Sequence, residues 1–190
     1  MIISLSPHVE KYRREIEEKT RETIEVYKDP QAAIEAGALS KAEIIISPGA
    51  IAGEVLDRCE KLKWLFVLSA GVEKLPFDKL IEKGVRVSNT SGIHGPQMAE
   101  QAFGMMIMFN RRLKKCVLNQ QQKIWGDVGF VDELTGKTIC IIGTGGIGGE
   151  VARKAKAFDM MVIGIKRHPE SLENFDCVWG RDRMHEALAQ

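Results

Sequence analysis

Short apolar runs alternate with amphipathic segments along the first ninety residues of the chain. The runs lie at 1–5, 23–27, 43–47, 64–68 and 85–88. Nearly continuous apolar runs of this length are typical of parallel strands that are covered on both faces, and the segments between them carry apolar residues at helical spacing. The alternation therefore predicts a parallel α/β sheet with helices between its strands.

A long helix is predicted next, from Gly95 to about Leu113. Its sequence AEQAFGMMIMF is apolar on every side, so we expect it to pack between two bodies, either domains or subunits. A methionine-lined cofactor pocket is the alternative. Residues 120–133 lack clear periodicity and are predicted to be a connection, with Trp125 and Phe130 contacting a neighbouring body.

The sequence GTGGIG at 143–148 lies between an apolar strand and an amphipathic helix, and a second apolar run at 161–165 closes the unit. In this context Gly143 makes a tight turn, Gly145 lets the main chain approach a pyrophosphate, and Gly148 allows the helix to lie close to its strand. The helix N-terminus then offers N–H groups to the phosphates. The pattern predicts a dinucleotide site, with a plain glycine-rich turn as the alternative.

The end of the second strand indicates which dinucleotide is bound. An acidic residue there would accept the adenosine ribose hydroxyls and repel a 2′-phosphate, but this chain has Lys166 and Arg167. Two cations can hold a 2′-phosphate through charge-assisted hydrogen bonds. We therefore expect NADP(H) to be preferred, with NAD(H) possible. A solvated basic turn without a ligand is the alternative.

Composition narrows the classes of partner. Twenty-seven basic and twenty-six acidic residues leave a formal charge of +1, which favours neither nucleic acid nor a membrane surface. The four cysteines are scattered without a CxxC pair, so neither a metal site nor a disulfide framework is expected. No leader peptide and no membrane-spanning run is recognised. We expect a cytoplasmic protein.

Two further segments, LKWLFVLSAGVEKLP at 62–76 and VRVSNTSGIHGPQMAEQAFGMMI at 85–107, complete a pattern with the glycine-rich turn. With them the chain resembles the D-isomer-specific 2-hydroxyacid dehydrogenases, particularly their glyoxylate/hydroxypyruvate reductase-like branch. The resemblance implies a flavodoxin-like parallel-sheet substrate domain at 1–94 and an interdomain helix and linker at 95–134. It also implies the first half of a Rossmann NAD(P)-binding domain at 135–190.

The resemblance implies roles for individual residues. Ser69, Ala70 and Gly71 match the loop whose main-chain N–H groups bind the substrate carboxylate, with a structural turn as the alternative. Gly146 and Ile147 match the pair that lies against the cofactor pyrophosphate. The implied reaction is hydride transfer between NADPH and a small 2-oxo acid.

The resemblance also implies an active site in the cleft between the two domains, and three further residues match positions near it. Met98 and Glu100 match positions near the nicotinamide, with packing or helix capping as the alternative. His94 resembles a common motif of this branch, in a positional or hydrogen-bonding role.

The family's catalytic Arg, Glu and His have no counterpart here, since about thirty residues form each βαβ unit and only one such unit is recognised. We therefore expect an incomplete Rossmann domain, a C-terminally truncated chain that is inactive alone, and a sheet edge that favours a homodimer. The alternatives are a non-catalytic cofactor-binding regulatory or interaction protein and an inactive gene fragment.

Overall fold

The apolar runs of the first ninety residues form one parallel sheet in the computed structural model, which describes residues 1–190. The strands are β1 (Ile2–Ser4), β2 (Ile24–Val26), β3 (Ile44–Ser47), β4 (Trp64–Val67) and β5 (Arg86–Asn89). Their order in the sheet is β2-β1-β3-β4-β5, with every neighbouring pair parallel. This is the flavodoxin-like order, so the predicted fold of this part is confirmed.

Helices cover both faces of this sheet because successive side chains of a strand point to opposite sides. The helices are α1 (Arg13–Thr20), α2 (Pro30–Glu35), α3 (Gly53–Asp57) and α4 (Phe77–Glu82), with 3-10 turns at Pro7–Tyr12 and Leu39–Lys41. In β1, Ile3 belongs to the larger apolar core, and Ile2 belongs to a smaller core with Val9 and Ile24. Burial on both faces explains why the strands are nearly continuous apolar runs.

A second, smaller parallel sheet follows, with strand order β6-β7-β8. The elements of this part are α5 (Gly95–Asn110), α6 (Leu113–Gln121), β6 (Thr138–Ile142), α7 (Gly146–Ala157), β7 (Met161–Ile165), β8 (Cys177–Trp179), a 3-10 turn (Arg181–Arg183) and α8 (Met184–Leu188). The strand–turn–helix–strand unit predicted around GTGGIG is therefore present.

The chain divides into two compact units, Met1–Ser91 and Gly92–Gln190. The second unit includes α5, which packs against α7 through its buried residues Ala99 and Phe103. The Phe103 ring stacks on that of Phe158, with centroids 5.0 Å apart and planes 14° apart. Gly95 allows close approach, since an added Cβ there would lie 3.4 Å from Glu150 Cβ. The long apolar helix thus has one face buried within its own unit.

The prediction of a single helix to about Leu113 is wrong in one respect. The helix α5 ends at Asn110, Arg112 takes a left-handed conformation with φ at 56°, and a separate helix, α6, begins at Leu113. Beyond α6, Trp125 is fully exposed and Phe130 is 80% exposed, so the predicted contact of these rings with a neighbouring body is not made within the unit. None of the helices combines the length and apolar character needed to cross a bilayer.

Candidate functional site

The glycine-rich turn connects β6 to α7 at the carboxyl end of the small sheet. Gly143 starts the turn with φ at +96°, a left-handed conformation that L side chains rarely adopt. Its N–H donates to the Ile165 carbonyl at 3.0 Å, which fixes the turn to the end of β7. The predicted role of Gly143 in a tight turn agrees with this geometry.

Two other glycines of the turn differ in their surroundings. A Cβ at Gly148 would lie 2.0 Å from the Gly143 carbonyl oxygen, so α7 starts in direct contact with the turn that precedes it. A Cβ at Gly145 would meet nothing within 4 Å. Gly148 is therefore required by internal packing, whereas Gly145 leaves open space beside the main chain.

A fourth glycine, Gly164 in β7, lies in contact with the turn and was not among the predicted residues. A Cβ there would lie 2.7 Å from Thr144 Cγ2 and 2.8 Å from Phe175 Cδ1. A glycine inside an otherwise apolar strand commonly marks such a close approach, and that signal was available in the sequence MVIGI. Gly164 lets Thr144 rest directly on the sheet.

The N-terminus of α7 presents unpaired donors. The first hydrogen bond at this end runs from Gly149 N–H to the Gly145 carbonyl at 2.7 Å, and the N–H groups of Gly146, Ile147 and Gly148 donate to no group of the protein. With the positive end of the helix dipole, such donors form an anion site. They can hold a pyrophosphate without a basic side chain.

A cavity of about 690 Å³ lies beside this turn. Its lining residues are Ile142, Gly143, Thr144, Gly145, Ile165, Lys166, Arg167, Arg181 and Met184. The structure thus brings together four predicted residues, the glycines at 143 and 145 and the cations at 166 and 167. The cavity is large enough for part of a dinucleotide. The unpaired N–H groups and the open space at Gly145 fit such a ligand.

The two predicted cations differ in availability. The Lys166 ammonium forms an ion pair with the Glu170 carboxylate and holds the pKa of that carboxyl below its ordinary value. Arg167 forms no ion pair or hydrogen bond through its side chain. Arg181, which sequence reasoning missed, lines the same cavity. Its guanidinium is also unpaired.

The predicted substrate loop follows β4 in the first unit. Ser69 Oγ donates to the Gly71 carbonyl at 2.8 Å, and Asn89 Nδ2 donates to the Ala70 carbonyl at 2.6 Å, so carbonyl groups of the loop are held by side chains. The N–H groups of Ser69, Ala70 and Gly71 donate to no group of the protein. These three donors are available to a small anion.

The loop borders a cavity of about 290 Å³ that also contains a carboxylate. A Cβ at Gly71 would lie 2.7 Å from Glu73 Oε2, so the Glu73 carboxylate covers that glycine. Lys74 lines the same cavity. The loop therefore offers an anion both the free N–H donors and a lysine, opposed by one acidic neighbour.

The three further residues that the resemblance placed near the cleft, His94, Met98 and Glu100, lie at the start of α5. The His94 ring contacts the Gln97 side-chain amide, and the His94 carbonyl accepts from Met98 N–H at 3.0 Å. Glu100 lies 3.6 Å from the Lys154 ammonium on α7. The His94 side chain thus makes a hydrogen-bonding contact with Gln97 and no capping bond to the helix main chain, and Glu100 lies in an ion pair between helices.

Comparisons with known proteins agree with this arrangement. Residues 103–190 match the family model described as D-isomer specific 2-hydroxyacid dehydrogenase, NAD binding domain. Hydroxypyruvate reductase from Thermotoga maritima is 31% identical over 121 residues, which cover 63% of this chain and 40% of that protein. Glyoxylate reductase from Thermococcus litoralis is 28% identical over 165 residues, which cover 79% of this chain and 50% of that protein.

A solved structure extends the likeness to the full length of the chain. A D-isomer specific 2-hydroxyacid dehydrogenase family protein from Aeromonas salmonicida superposes with a TM-score of 0.83 and 29% identity, covering 100% of this chain and 60% of that one. The chain spans about half the length of the two curated relatives. The predicted domain for a nicotinamide dinucleotide is confirmed by the family match.

Proposed function

We propose that the chain is a member of the D-isomer specific 2-hydroxyacid dehydrogenases, whose NAD binding domain model matches residues 103–190, and that it serves hydride transfer between a nicotinamide cofactor and a small 2-oxo acid. The main support for the proposal is the turn between β6 and α7. Gly143 and Gly145 of this turn line a cavity of about 690 Å³, and the next three N–H groups along the chain have no partner in the protein. Glyoxylate and hydroxypyruvate are the substrates we propose, by analogy with the two reductases named above.

The cofactor is held in this proposal by the residues of the turn and its neighbours. The N–H groups of Gly146, Ile147 and Gly148 bind the pyrophosphate, and the main chain at Gly145 approaches it. When bound, the nicotinamide supplies the group that accepts or donates the hydride. The protein's contribution is to orient the dinucleotide.

NADP(H) is the cofactor we propose, because the strand that follows α7 ends in Lys166 and Arg167 rather than in a carboxylate. Arg167 has no acidic partner, so its guanidinium is free to bind a phosphate. NAD(H) remains the alternative, because the Glu170 carboxylate pairs with the Lys166 ammonium and so reduces the positive charge that Lys166 offers to a 2′-phosphate.

The substrate carboxylate binds, in this proposal, to the N–H groups of Ser69, Ala70 and Gly71. These donors have no partner in the protein, and the loop that carries them is braced by Asn89. Hydrogen bonds to an ionised acceptor are about twice as strong as neutral ones, so three such donors suffice to position a small carboxylate.

Catalysis needs groups that we assign to no residue of this chain. No arginine, glutamate or histidine here matches the family's catalytic set, so we expect the 190 residues alone to bind cofactor without turnover. The test is a titration of the chain with NADPH and with NADH, in which binding is monitored by the fluorescence of the reduced nicotinamide. Binding of NADPH with no oxidation on addition of glyoxylate or hydroxypyruvate supports the proposal, and absence of binding to either dinucleotide contradicts it.

A homodimer is also proposed, because α5, α6 and the following connection expose several large apolar side chains. We call these side chains together the α5–α6 apolar surface. All of them are exposed, and they are Met105, Met108 and Phe109 of α5, Leu113, Val117 and Leu118 of α6, and Trp125 and Phe130 of the connection. Exposed aromatic and methionine side chains of this kind are typical of protein interfaces. The same surface would serve the second candidate function, a regulatory or interaction protein that binds cofactor without catalysis.

A cytoplasmic location is proposed from the cysteines. All four are free thiols, and Cys59 is buried. Reduced thiols are the rule in the cytoplasm.

A further inference from the structure

A second arginine, Arg181, shares the dinucleotide cavity with Arg167. The two side chains line the same space beside the glycine-rich turn, although they are separated along the chain by the connection to β8. Arg181 lies outside the strand–turn–helix–strand unit in which dinucleotide-binding residues are usually sought.

The register of the small sheet explains how Arg181 reaches this position. Ile165 at the end of β7 pairs with Trp179 at the end of β8, and Lys166 N–H continues the pairing by donating to the Trp179 carbonyl at 3.0 Å. Arg167 and Arg181 each follow the paired residues Ile165 and Trp179 by two positions. Because neighbouring strands are about 4.8 Å apart, the arginines leave the sheet from adjacent strand ends.

The basic residues around the cavity divide into engaged and free groups. Lys166 is paired with Glu170, and Arg183 is paired with Glu186 while its guanidinium lies 3.8 Å from the centroid of the Trp179 ring. Arg181 takes part in none of the ion pairs and donates no side-chain hydrogen bond. Among the cations that line this cavity, the two arginines therefore carry uncompensated charge.

We propose that Arg167 and Arg181 together form the binding site for the 2′-phosphate of NADP(H), with Arg181 as a specificity-determining residue. This inference rests on the proposed function, which supplies the dinucleotide. A phosphate monoester carries a charge of about −1.5 to −2 at neutral pH and three acceptor oxygens, so it accommodates two planar guanidinium groups. Lys166 contributes less to this site because Glu170 already neutralises its ammonium group.

The test compares Arg181→Ala, Arg181→Lys and the matched control Arg183→Ala in the full 190-residue chain. Dissociation constants for NADPH and NADH are measured by nicotinamide fluorescence, and those for 2′,5′-ADP and 5′-AMP by calorimetry. Loss of a hydrogen bond to a charged group predicts about tenfold weaker binding of NADPH and 2′,5′-ADP in Arg181→Ala. Binding of NADH and 5′-AMP should stay unchanged, because they lack the 2′-phosphate.

The other variants separate charge from hydrogen-bond geometry. Arg181→Lys should recover part of the loss, since a lysine keeps the charge without the bidentate fork. Arg183→Ala should retain the NADPH affinity of the unmodified chain, because Glu186 and the Trp179 ring already engage that side chain. Circular dichroism of each variant establishes that the fold is intact.

Failure of this inference can be distinguished from failure of the proposed function. An unmodified chain that binds NADPH, together with an Arg181→Ala variant that binds it equally well or loses NADH to the same extent, would overturn the role of Arg181 alone. An unmodified chain that binds neither dinucleotide would overturn the proposed function and this inference with it.

Discussion

Gly145 and Gly148, which belong to the same short turn, differ in the space that an added side chain would find. An alanine at Gly148 would place its Cβ 2.0 Å from a main-chain oxygen, which cannot move without opening the turn. An alanine at Gly145 would meet only open space. Gly148 is thus required by packing within the turn, whereas Gly145 leaves the open space in which we propose that the pyrophosphate binds.

Substitution by alanine should separate these two requirements. We expect Gly148→Ala to lower the free energy of unfolding by about 3 kcal/mol, as overpacking does at its upper range, and to abolish NADPH binding. Gly145→Ala should unfold at nearly the same urea concentration as the unmodified chain but bind NADPH at least about tenfold more weakly, because its methyl group occupies the space for the pyrophosphate.

The matched control is Gly149→Ala, one position further into α7. An added Cβ there meets nothing within 4 Å, so the variant should keep its NADPH affinity and gain about 0.5–1 kcal/mol from the better helix propensity of alanine. Equal losses of stability in Gly145→Ala and Gly148→Ala would contradict the proposed division of roles.

Some of these residues could be predicted from the sequence alone, and others could not. The spacing of GTGGIG located the turn glycines, because each requirement is set by the local path of the chain. The requirement for Gly164 depends on Thr144 and Phe175, which are close in space and not in sequence. Arg181 was missed for the same reason, since its place beside Arg167 depends on the pairing of β7 with β8.

At the level of elements, the apolar runs of the first sheet were located to within one or two residues because both faces of its strands are buried. The strand β8 was not predicted. It has three residues, and each is only half-buried, so it lacks both the length and the apolar continuity that identify a strand. Its position is fixed by pairing with β7.

Asp176 secures this part of the sheet through contacts with two other elements. Its carboxylate accepts from the buried N–H of Val162 at 2.7 Å and forms an ion pair with Lys156 of α7 at 2.9 Å. These contacts, with the Lys156 ion pair the larger cause, hold the pKa of the Asp176 carboxyl below its ordinary value. A single carboxylate thus connects α7, β7 and the start of β8.

Substitution of Asp176 should change both stability and its dependence on pH. The carboxylate's contribution is complete above the unfolded-state pKa of about 3.9 and is lost as the pH falls through the lower folded-state value. Asp176→Ala leaves the Val162 N–H unpaired, so it should lower the free energy of unfolding by about 1–2 kcal/mol at pH 7, whereas Asp176→Asn keeps an acceptor and should lose less.

Urea unfolding at pH 7, 5 and 3 provides the measurement. Both variants should lose less stability than the unmodified chain between pH 5 and pH 3, because neither can be protonated at this position. A decline as steep in Asp176→Asn as in the unmodified chain would exclude Asp176 as a source of the pH dependence.

On the scale of the whole molecule, alternation of apolar and amphipathic segments predicted the first parallel sheet, whereas the glycine-rich turn and the family resemblance predicted the second unit. The boundary found after Ser91 is three residues earlier than the one predicted after residue 94. The three reassigned residues lie beside the start of α7, since a Cβ added at Gly146 would lie 4.0 Å from Gly92 Cα. When a helix is apolar on every side, its sequence does not indicate which of the two adjacent domains it packs against.

The side chains of the α5–α6 apolar surface are not covered by other residues of the chain. Phe109 is 73% exposed, and Trp125 is fully exposed. If a second copy covers this surface, its exposed aromatic residues should dominate the binding energy, as aromatic residues do at protein interfaces generally. Phe109→Ser and Trp125→Ser should then each weaken the dimer by roughly 30-fold, corresponding to a loss of about 2 kcal/mol.

Sedimentation equilibrium over a range of protein concentrations measures this effect. Ile81→Ser is the matched control, because Ile81 is as exposed as Phe109 but lies on α4 of the first unit. It should leave the dimer dissociation constant unchanged. An unmodified chain that stays monomeric at all concentrations would contradict the homodimer and would leave the α5–α6 apolar surface to a different protein, as the regulatory alternative requires.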